Sequence, residues 1–284
     1  MDIQKIGVIG AGQMGAGIAH VAAISGYEVM LVDVSDVAIE KGLRTISKNM
    51  DRQVSKDVFD EVRKNKFLES IQTSTSVNDI ENCDLVIEAA SENESVKSSI
   101  FKDVCKVLKK ESYIASNTSS ISITKLASYT DRPEKFIGMH FMNPVPIMKL
   151  VEMIKGIATS KECYEDVVAV AEKMGKIVAT SEDYPGFIVN RILMPMINEA
   201  CFVLSEGIAD RESIDQSMKL GTAHPMGPLE LADFIGLDTC LAIMEVLYEG
   251  FADSKYRPNP LLRKYVDAGW LGKKTGKGFY DYTS

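Results

Sequence analysis

Proton transfer near neutral pH falls most readily to histidine, and this 284-residue chain has three. His140 ends the apolar run 136–141, just before Met142-Asn143-Pro144-Val145-Pro146. A polar ring at the carboxyl end of a strand lies where open α/β sheets bind ligands, so His140 reads either as a catalytic base or as a structural histidine. Glu152 interrupts the next apolar run, Leu150-Val151-Glu152-Met153-Ile154, where an unpaired carboxylate is costly to bury. Two strands joined by a short proline-fixed loop can set Glu152 beside His140, orienting the imidazole to take a proton from an alcohol. The alternative is an edge-strand glutamate facing water. His20, in the first helix, reads as structural, and His224 as an exposed turn residue.

A second constellation surrounds Gly10-Ala11-Gly12-Gln13-Met14-Gly15. The motif follows the strand-like run Ile6-Gly7-Val8-Ile9 and opens a helical pattern at 13–25. A further strand at 28–33 then ends in Asp33. Gly10 serves the tight turn, Gly12 the close approach of a pyrophosphate and Gly15 the packing of helix on strand. Backbone N–H groups and the helix dipole then hold the diphosphate. Asp33 sits where a carboxylate accepts hydrogen bonds from the adenosine ribose, and it would repel a 2′-phosphate. NAD is therefore expected as the cofactor rather than NADP; a purely structural turn is the competing reading.

Ser116-Asn117-Thr118-Ser119-Ser120 closes the strand at 113–116 and supplies hydroxyls and an amide at the same sheet edge, or caps the helix that follows. Asn190 is embedded in the apolar stretch 187–204. A buried amide there needs partners, from a cleft between domains or from a loop carbonyl.

These groups need a scaffold, and the pattern supplies one. Short apolar runs at 71–74, 84–89, 113–116, 136–141, 149–154 and 176–180 alternate with helical stretches such as 96–109, which predicts a parallel α/β sheet. Two helical stretches cover about 36–65. Pro185-Gly186 marks a boundary, after which 187–204, 211–220, 228–249 and 261–268 read as helices. The expected fold is α/β: a Rossmann-like, doubly wound sheet domain over 1–184 with a helical arm at about 36–65, then an all-helical domain over 185–284.

Composition narrows the partners. Forty acidic and 32 basic side chains give a formal charge of −8, which argues against a broad nucleic-acid footprint. The five cysteines are odd in number, lack CxxC spacing and read as reduced thiols, with no metal site. The first 25 residues lack a signal-peptide pattern, and 187–204 carries Asn190, Arg191, Pro195, Asn198 and Glu199, too polar for a membrane span. A cytoplasmic protein with no membrane or nucleic-acid partner is expected. The apolar helical domain predicts a homodimer.

The glycine turn, Asn117-Thr118-Ser119-Ser120, His140-Phe141-Met142-Asn143-Pro144-Val145 and Pro185-Gly186-Phe187-Ile188-Val189-Asn190-Arg191 together resemble the L-3-hydroxyacyl-CoA dehydrogenases. Met226-Gly227-Pro228 and the tail Gly272-Lys273-Lys274-Thr275-Gly276-Lys277-Gly278-Phe279-Tyr280 extend the resemblance over essentially the whole chain. It implies an oxidoreductase that interconverts (S)-3-hydroxyacyl-CoA and 3-ketoacyl-CoA with NAD, the compact length favouring the 3-hydroxybutyryl and acetoacetyl thioesters. His140 would be the base and Glu152 its partner, with Ser119 and Asn190 on the substrate's 3-oxygen. Ser119, Asn143, Glu92, Lys97 and Lys274 would serve the cofactor. Asn49 and Lys56 would meet coenzyme A on the helical arm, with Arg52 added as a neighbouring charge. Met142 departs from relatives that carry an aromatic there. Two other readings stand beside this one: a β-hydroxyacid dehydrogenase acting on a free acid, and a catalytically silent NAD-binding protein. The first generally relies on a lysine in the helical domain, and the 187–204 stretch has none.

Overall fold

The computed structural model describes residues 1–283. It divides into two compact units, one from Met1 to Tyr184 and one that begins at Pro185.

The first unit is built on an eight-stranded sheet, β1 (Lys5–Ile9), β2 (Glu28–Val32), β3 (Ile71–Ser74), β4 (Leu85–Glu88), β5 (Tyr113–Ser116), β6 (Phe136–Phe141), β7 (Leu150–Lys155) and β8 (Ile177–Glu182), in the order 3-2-1-4-5-6-7-8. β1 and β4 to β6 are buried along all or nearly all of their length, as continuous Val/Ile/Leu runs covered on both faces should be. Helices α1 (Gln13–Ile24), α2 (Asp36–Val54), α3 (Glu61–Glu69), α4 (Glu94–Val107), α5 (Ile123–Ala127) and α6 (Lys161–Lys173) make the connections. Ile18, Ala19 and Ala22 of α1 close the core over Ile6, Val8 and Leu31.

The structure departs from a purely parallel reading at one place. β6 and β7 pair antiparallel, and β8 is parallel to β7. The connection from 142 to 149 is too short for a parallel crossover, which needs a dozen or more residues, so the chain reverses direction. The two helical stretches read over about 36–65 are α2 and α3, the second running on to Glu69, and Asp60 caps it by accepting from Arg63 N at 2.8 Å.

The second unit is helical: α7 (Val189–Ser205), α8 (Arg211–Gly221), α9 (Pro228–Ile235), α10 (Leu237–Phe251) and α11 (Pro260–Asp267). Met194, Ile197, Cys201, Leu229, Leu237, Met244 and Leu247 are among its core side chains. The stretch read as one helix over 228–249 is α9 and α10, broken at Gly236, whose φ of +105° no right-handed helix accommodates. Two carboxylates buried in this unit tie its tail down. Asp233 accepts from Phe279 N and Tyr280 N, both at 2.9 Å, and Asp215 accepts from the Tyr280 hydroxyl at 2.8 Å. Among the described residues no helix is long and apolar enough to cross a membrane.

Candidate active site

Because β1, β4, β5 and β6 run parallel, their carboxyl ends share one edge, and the antiparallel β7 starts there. The strand ends and loops that carry chemistry in the first unit converge on that edge for this topological reason.

The first part is the glycine turn. α1 begins at Gln13 with Gly12 in the capping position and no side-chain cap, so its first N–H groups have no side chain to satisfy them. Gly10 holds φ +102°, and a Cβ on it would meet Ala89 O at 2.6 Å. A Cβ on Gly15 would meet Gly10 O at 1.7 Å, while one on Gly12 would meet nothing within 4 Å, which is where room is needed. A cavity of about 710 Å³ opens from this turn, lined by Gly10, Gly12, Val32, Asp33, Thr75 and Ala90 among others. Asp33 accepts from Ala11 N at 2.8 Å through one oxygen and from Ser35 N at 3.0 Å through the other, so it braces the turn as well as lining the cavity. These residues fit a dinucleotide: bare helix N–H groups for the diphosphate and a fixed carboxylate for the ribose.

The second part is the histidine–carboxylate pair. His140 and Glu152 stand directly opposite each other in the β6–β7 register, and Nδ1 lies 2.8 Å from the Glu152 Oε2. Glu152 is fully buried and His140 is 7% exposed. A carboxylate on Nδ1 places the ring proton on that nitrogen and the lone pair on Nε2, the tautomer a general base requires. Neighbouring bonds hold β6 at this point: the Asn117 side-chain oxygen accepts from Phe141 N at 2.9 Å, and Asn117 N donates to Glu88 O at 2.8 Å. Asn143 accepts from the Gln13 side chain at 2.9 Å, tying the loop after β6 to the start of α1.

The third part is a charge network, buried at Glu88 and Lys97, that reaches Ser119 through Glu92. Lys97, 1% exposed, donates to Glu88 at 2.6 Å and lies 3.3 Å from Glu92. Glu88 also accepts from the Ser116 hydroxyl at 2.6 Å and Ala90 N at 2.7 Å. One oxygen of Glu92 accepts from the Thr118 hydroxyl at 2.6 Å, Ser119 N at 2.8 Å, the Ser120 hydroxyl at 2.9 Å and the Ser119 hydroxyl at 3.2 Å. Burial opposes the charge on Glu92, but Lys97 and these donors outweigh it and hold the carboxyl below its usual value. The ammonium of Lys97 is thus committed to two carboxylates, and any influence on a ligand passes through Glu92.

The remaining sequence-marked residues are carried by other elements. Asn49 and Arg52 share the last turns of α2, with Arg52 Nη1 3.5 Å from Asn49 Oδ1, and Lys56 is exposed in the turn beyond. Asn190 is buried near the start of α7 in the second unit. Lys274, also in that unit, forms a two-oxygen ion pair with Asp238 at 2.5 and 2.7 Å. His20 is fully buried, and its pKa is lowered, first by burial and also by the nearby Lys176 charge; His224 is half-buried.

Three contributors escaped the sequence reading. Glu88 left a trace, a carboxylate ending Leu85-Val86-Ile87-Glu88. Gln13 and Lys176 did not, because each acts through a partner distant in sequence. Lys176, for example, donates to Val145 O at 2.5 Å and Met148 O at 2.9 Å, holding the β6–β7 connection.

Comparison with known proteins follows the same division. Residues 5–184 match the 3-hydroxyacyl-CoA dehydrogenase NAD binding domain, and residues 186–282 match the C-terminal domain of that family. The chain is 62% identical to 3-hydroxybutyryl-CoA dehydrogenase of Bradyrhizobium diazoefficiens over 99% of this chain and 96% of that one. It is 47% identical to the enzyme of that name from Clostridioides difficile, covering 98% and 99% respectively. The crystal structure of (S)-3-hydroxybutyryl-CoA dehydrogenase from Ralstonia eutropha superposes with a TM-score of 0.98 at 52% identity, with both chains fully covered. The glycine turn, its carboxylate and the helical second unit thus belong to an NAD-binding oxidoreductase, and this chain is a member of the 3-hydroxyacyl-CoA dehydrogenase family.

Proposed function

We propose that this chain interconverts (S)-3-hydroxyacyl-CoA and 3-ketoacyl-CoA, with 3-hydroxybutyryl-CoA and acetoacetyl-CoA as its substrate pair. The observation that carries the reading is the 2.8 Å contact between His140 Nδ1 and Glu152, on the sheet edge that also bears the dinucleotide turn. When bound, NAD supplies the acceptor for the hydride leaving C3. His140 Nε2 takes the proton of the 3-hydroxyl as the carbon–oxygen bond becomes a carbonyl, and returns it in the reverse direction. Glu152 stabilises the imidazolium formed, because a buried carboxylate in hydrogen-bond contact is worth more there than in water. Ser119, oriented by Glu92, and Asn190 are assigned to the substrate's 3-oxygen. Asn143 and Ser119 are assigned to the nicotinamide side, Glu92 and Lys274 to the cofactor, with Lys97 acting through Glu92. Asn49, Arg52 and Lys56 are assigned to the coenzyme A end.

We place the enzyme in the cytoplasm as a homodimer formed through its helical unit. That unit exposes Ile192, Ile208, Leu220 and Phe234 and carries an apolar groove of about 500 Å³ lined by Ala200, Val203, Ile208 and Ile214, surface that a second copy would cover. Light scattering should return twice the chain mass.

Loss of NADH absorbance on adding acetoacetyl-CoA tests the activity. Turnover with the thioester and none with free 3-ketobutyrate or 3-hydroxybutyrate supports the reading. Preference for the free acid points to a β-hydroxyacid dehydrogenase, and no turnover with either points to a silent NAD-binding protein.

A further inference from the structure

His20 lies in the middle of α1, fully buried, yet it is not packed as an apolar filler. Its Nε2 is 2.8 Å from Gln53 Oε1, on the last turn of α2. A carbonyl oxygen only accepts, so Nε2 carries the proton and donates. Nδ1 then presents a lone pair, and it has no hydrogen-bond partner. A buried polar atom left unpaired is destabilising. Against that stands one cross-helix bond.

What that bond holds is visible on the other side of Gln53. The backbone carbonyl of Gln53 accepts from Lys56 N at 3.2 Å and from Val58 N at 3.0 Å. It therefore closes the turn in which Asp57 adopts φ +56° and which carries Lys56. Asn49 lies one turn earlier on the same face as Gln53, and Arg52 is adjacent. The earlier part of α2 is fixed differently, by apolar packing and close approach: a Cβ on Gly42 would meet Ala11 O at 2.9 Å. Ile46 and Met50 continue the buried stripe, and half-buried Val54 and buried Phe59 carry the packing on past it. At the helix end the His20–Gln53 bond adds a directional tie to α1. Arg52 and Lys56 are exposed and take part in no ion pair among the described residues. An ion pair at this end joins Asp51 to Lys64 of α3 at 2.5 Å.

We propose that His20 is a positioning residue that, through Gln53, sets the basic end of α2 and so tunes affinity for the phosphate-bearing half of the thioester substrate. The assignment rests on the acyl-CoA reading above. His20 touches neither the reacting atoms nor the coenzyme, and its contribution is confined to the remote half of the substrate.

That confinement makes the test sharp. Steady-state constants are measured for acetoacetyl-CoA and for the N-acetylcysteamine thioester of acetoacetate, which keeps the reacting carbons and lacks every phosphate. His20→Leu preserves bulk and removes the donor. Its KM for acetoacetyl-CoA should rise about fivefold, one hydrogen bond's worth of affinity, with kcat and the KM for NADH unchanged. The kcat/KM for the truncated thioester should not move. His20→Gln, whose amide can donate to Gln53, should restore the CoA constant. Gln53→Leu, at a half-buried position, should reproduce the His20→Leu result, and it carries the test if His20→Leu does not fold. Equal losses for both thioesters, a raised KM for NADH, or no change for either thioester would each overturn the proposal. A wild-type enzyme that does not turn over acetoacetyl-CoA at all would instead sink the acyl-CoA reading on which it rests.

Discussion

His140 and Glu152 occupy paired positions on the antiparallel strands β6 and β7, so a ring and a carboxylate 12 residues apart meet at 2.8 Å inside the sheet. Backbone pairing, rather than a flexible loop, sets their geometry. Side chains directly opposite in such a pair lie on the same face within contact distance.

This pair predicts unequal losses on substitution. His140→Gln should lower kcat by roughly 10²–10⁴, the usual contribution of a general acid–base group, with NADH affinity retained by fluorescence titration. Glu152→Gln keeps the shape but removes the charge, and should lower kcat by about 10² while leaving the KM for NADH unchanged. A His140→Gln enzyme with wild-type turnover would mean another base.

Asp33 has two duties, and they separate by variant. Asp33→Ala should weaken NADH binding and narrow the preference for NADH over NADPH, because the repulsion of a 2′-phosphate is gone. It should also lower the melting temperature, because Ala11 N and Ser35 N lose their acceptor. An unchanged ratio of kcat/KM for the two cofactors would remove Asp33 from cofactor selection and leave it the turn alone.

Four of the five thiols should be silent in the native state. All five cysteines are free, and burial pushes Cys83, Cys163 and Cys240 up to about 12, with Cys201 higher still. The reactive species is the thiolate, so a disulfide reagent at pH 8 should label these four only as fast as the protein unfolds. Half-buried Cys105 should label first. Fast labelling of more than one thiol in native protein would contradict the burial.

Acid should destabilise the first unit through His20. Its folded pKa lies below the usual value near 6.5, because burial and the nearby Lys176 charge both oppose protonation. The unfolded chain therefore binds the extra proton first, and stability is full above about pH 6.5. It falls as the pH drops below 6.5 and levels off once the folded pKa is passed. Urea titrations of wild type and His20→Gln across pH 5–8 should show the slope only in the wild type; parallel curves would mean that His20 carries none of it.

The sheet and helices were legible because their patterns are local. Continuous Val/Ile/Leu runs, a glycine turn and capping residues act within a few positions of themselves. Gly236 shows the limit. An apolar period running from 228 to 249 hides a break that only the backbone conformation of one residue makes. The network of Glu88, Lys97 and Glu92 was half legible, since Glu88 stands out at the end of an apolar run but the pairings of the three do not. Lys97 read as a cofactor contact from the family pattern, and the fold shows the two carboxylates it pairs with, Glu88 and Glu92.

By itself the sequence determined that a dinucleotide turn opens the chain, that Asp33 follows it, and that His140 and Glu152 interrupt apolar runs. Composition and periodicity suffice for those statements because each concerns one residue and its neighbours along the chain. The tertiary structure alone decided that β7 runs against β6, that Ser119 answers to Glu92, and that His20 meets Gln53 on the last turn of α2. Those are relations across long stretches of chain, created when burial leaves polar groups no partner except one another.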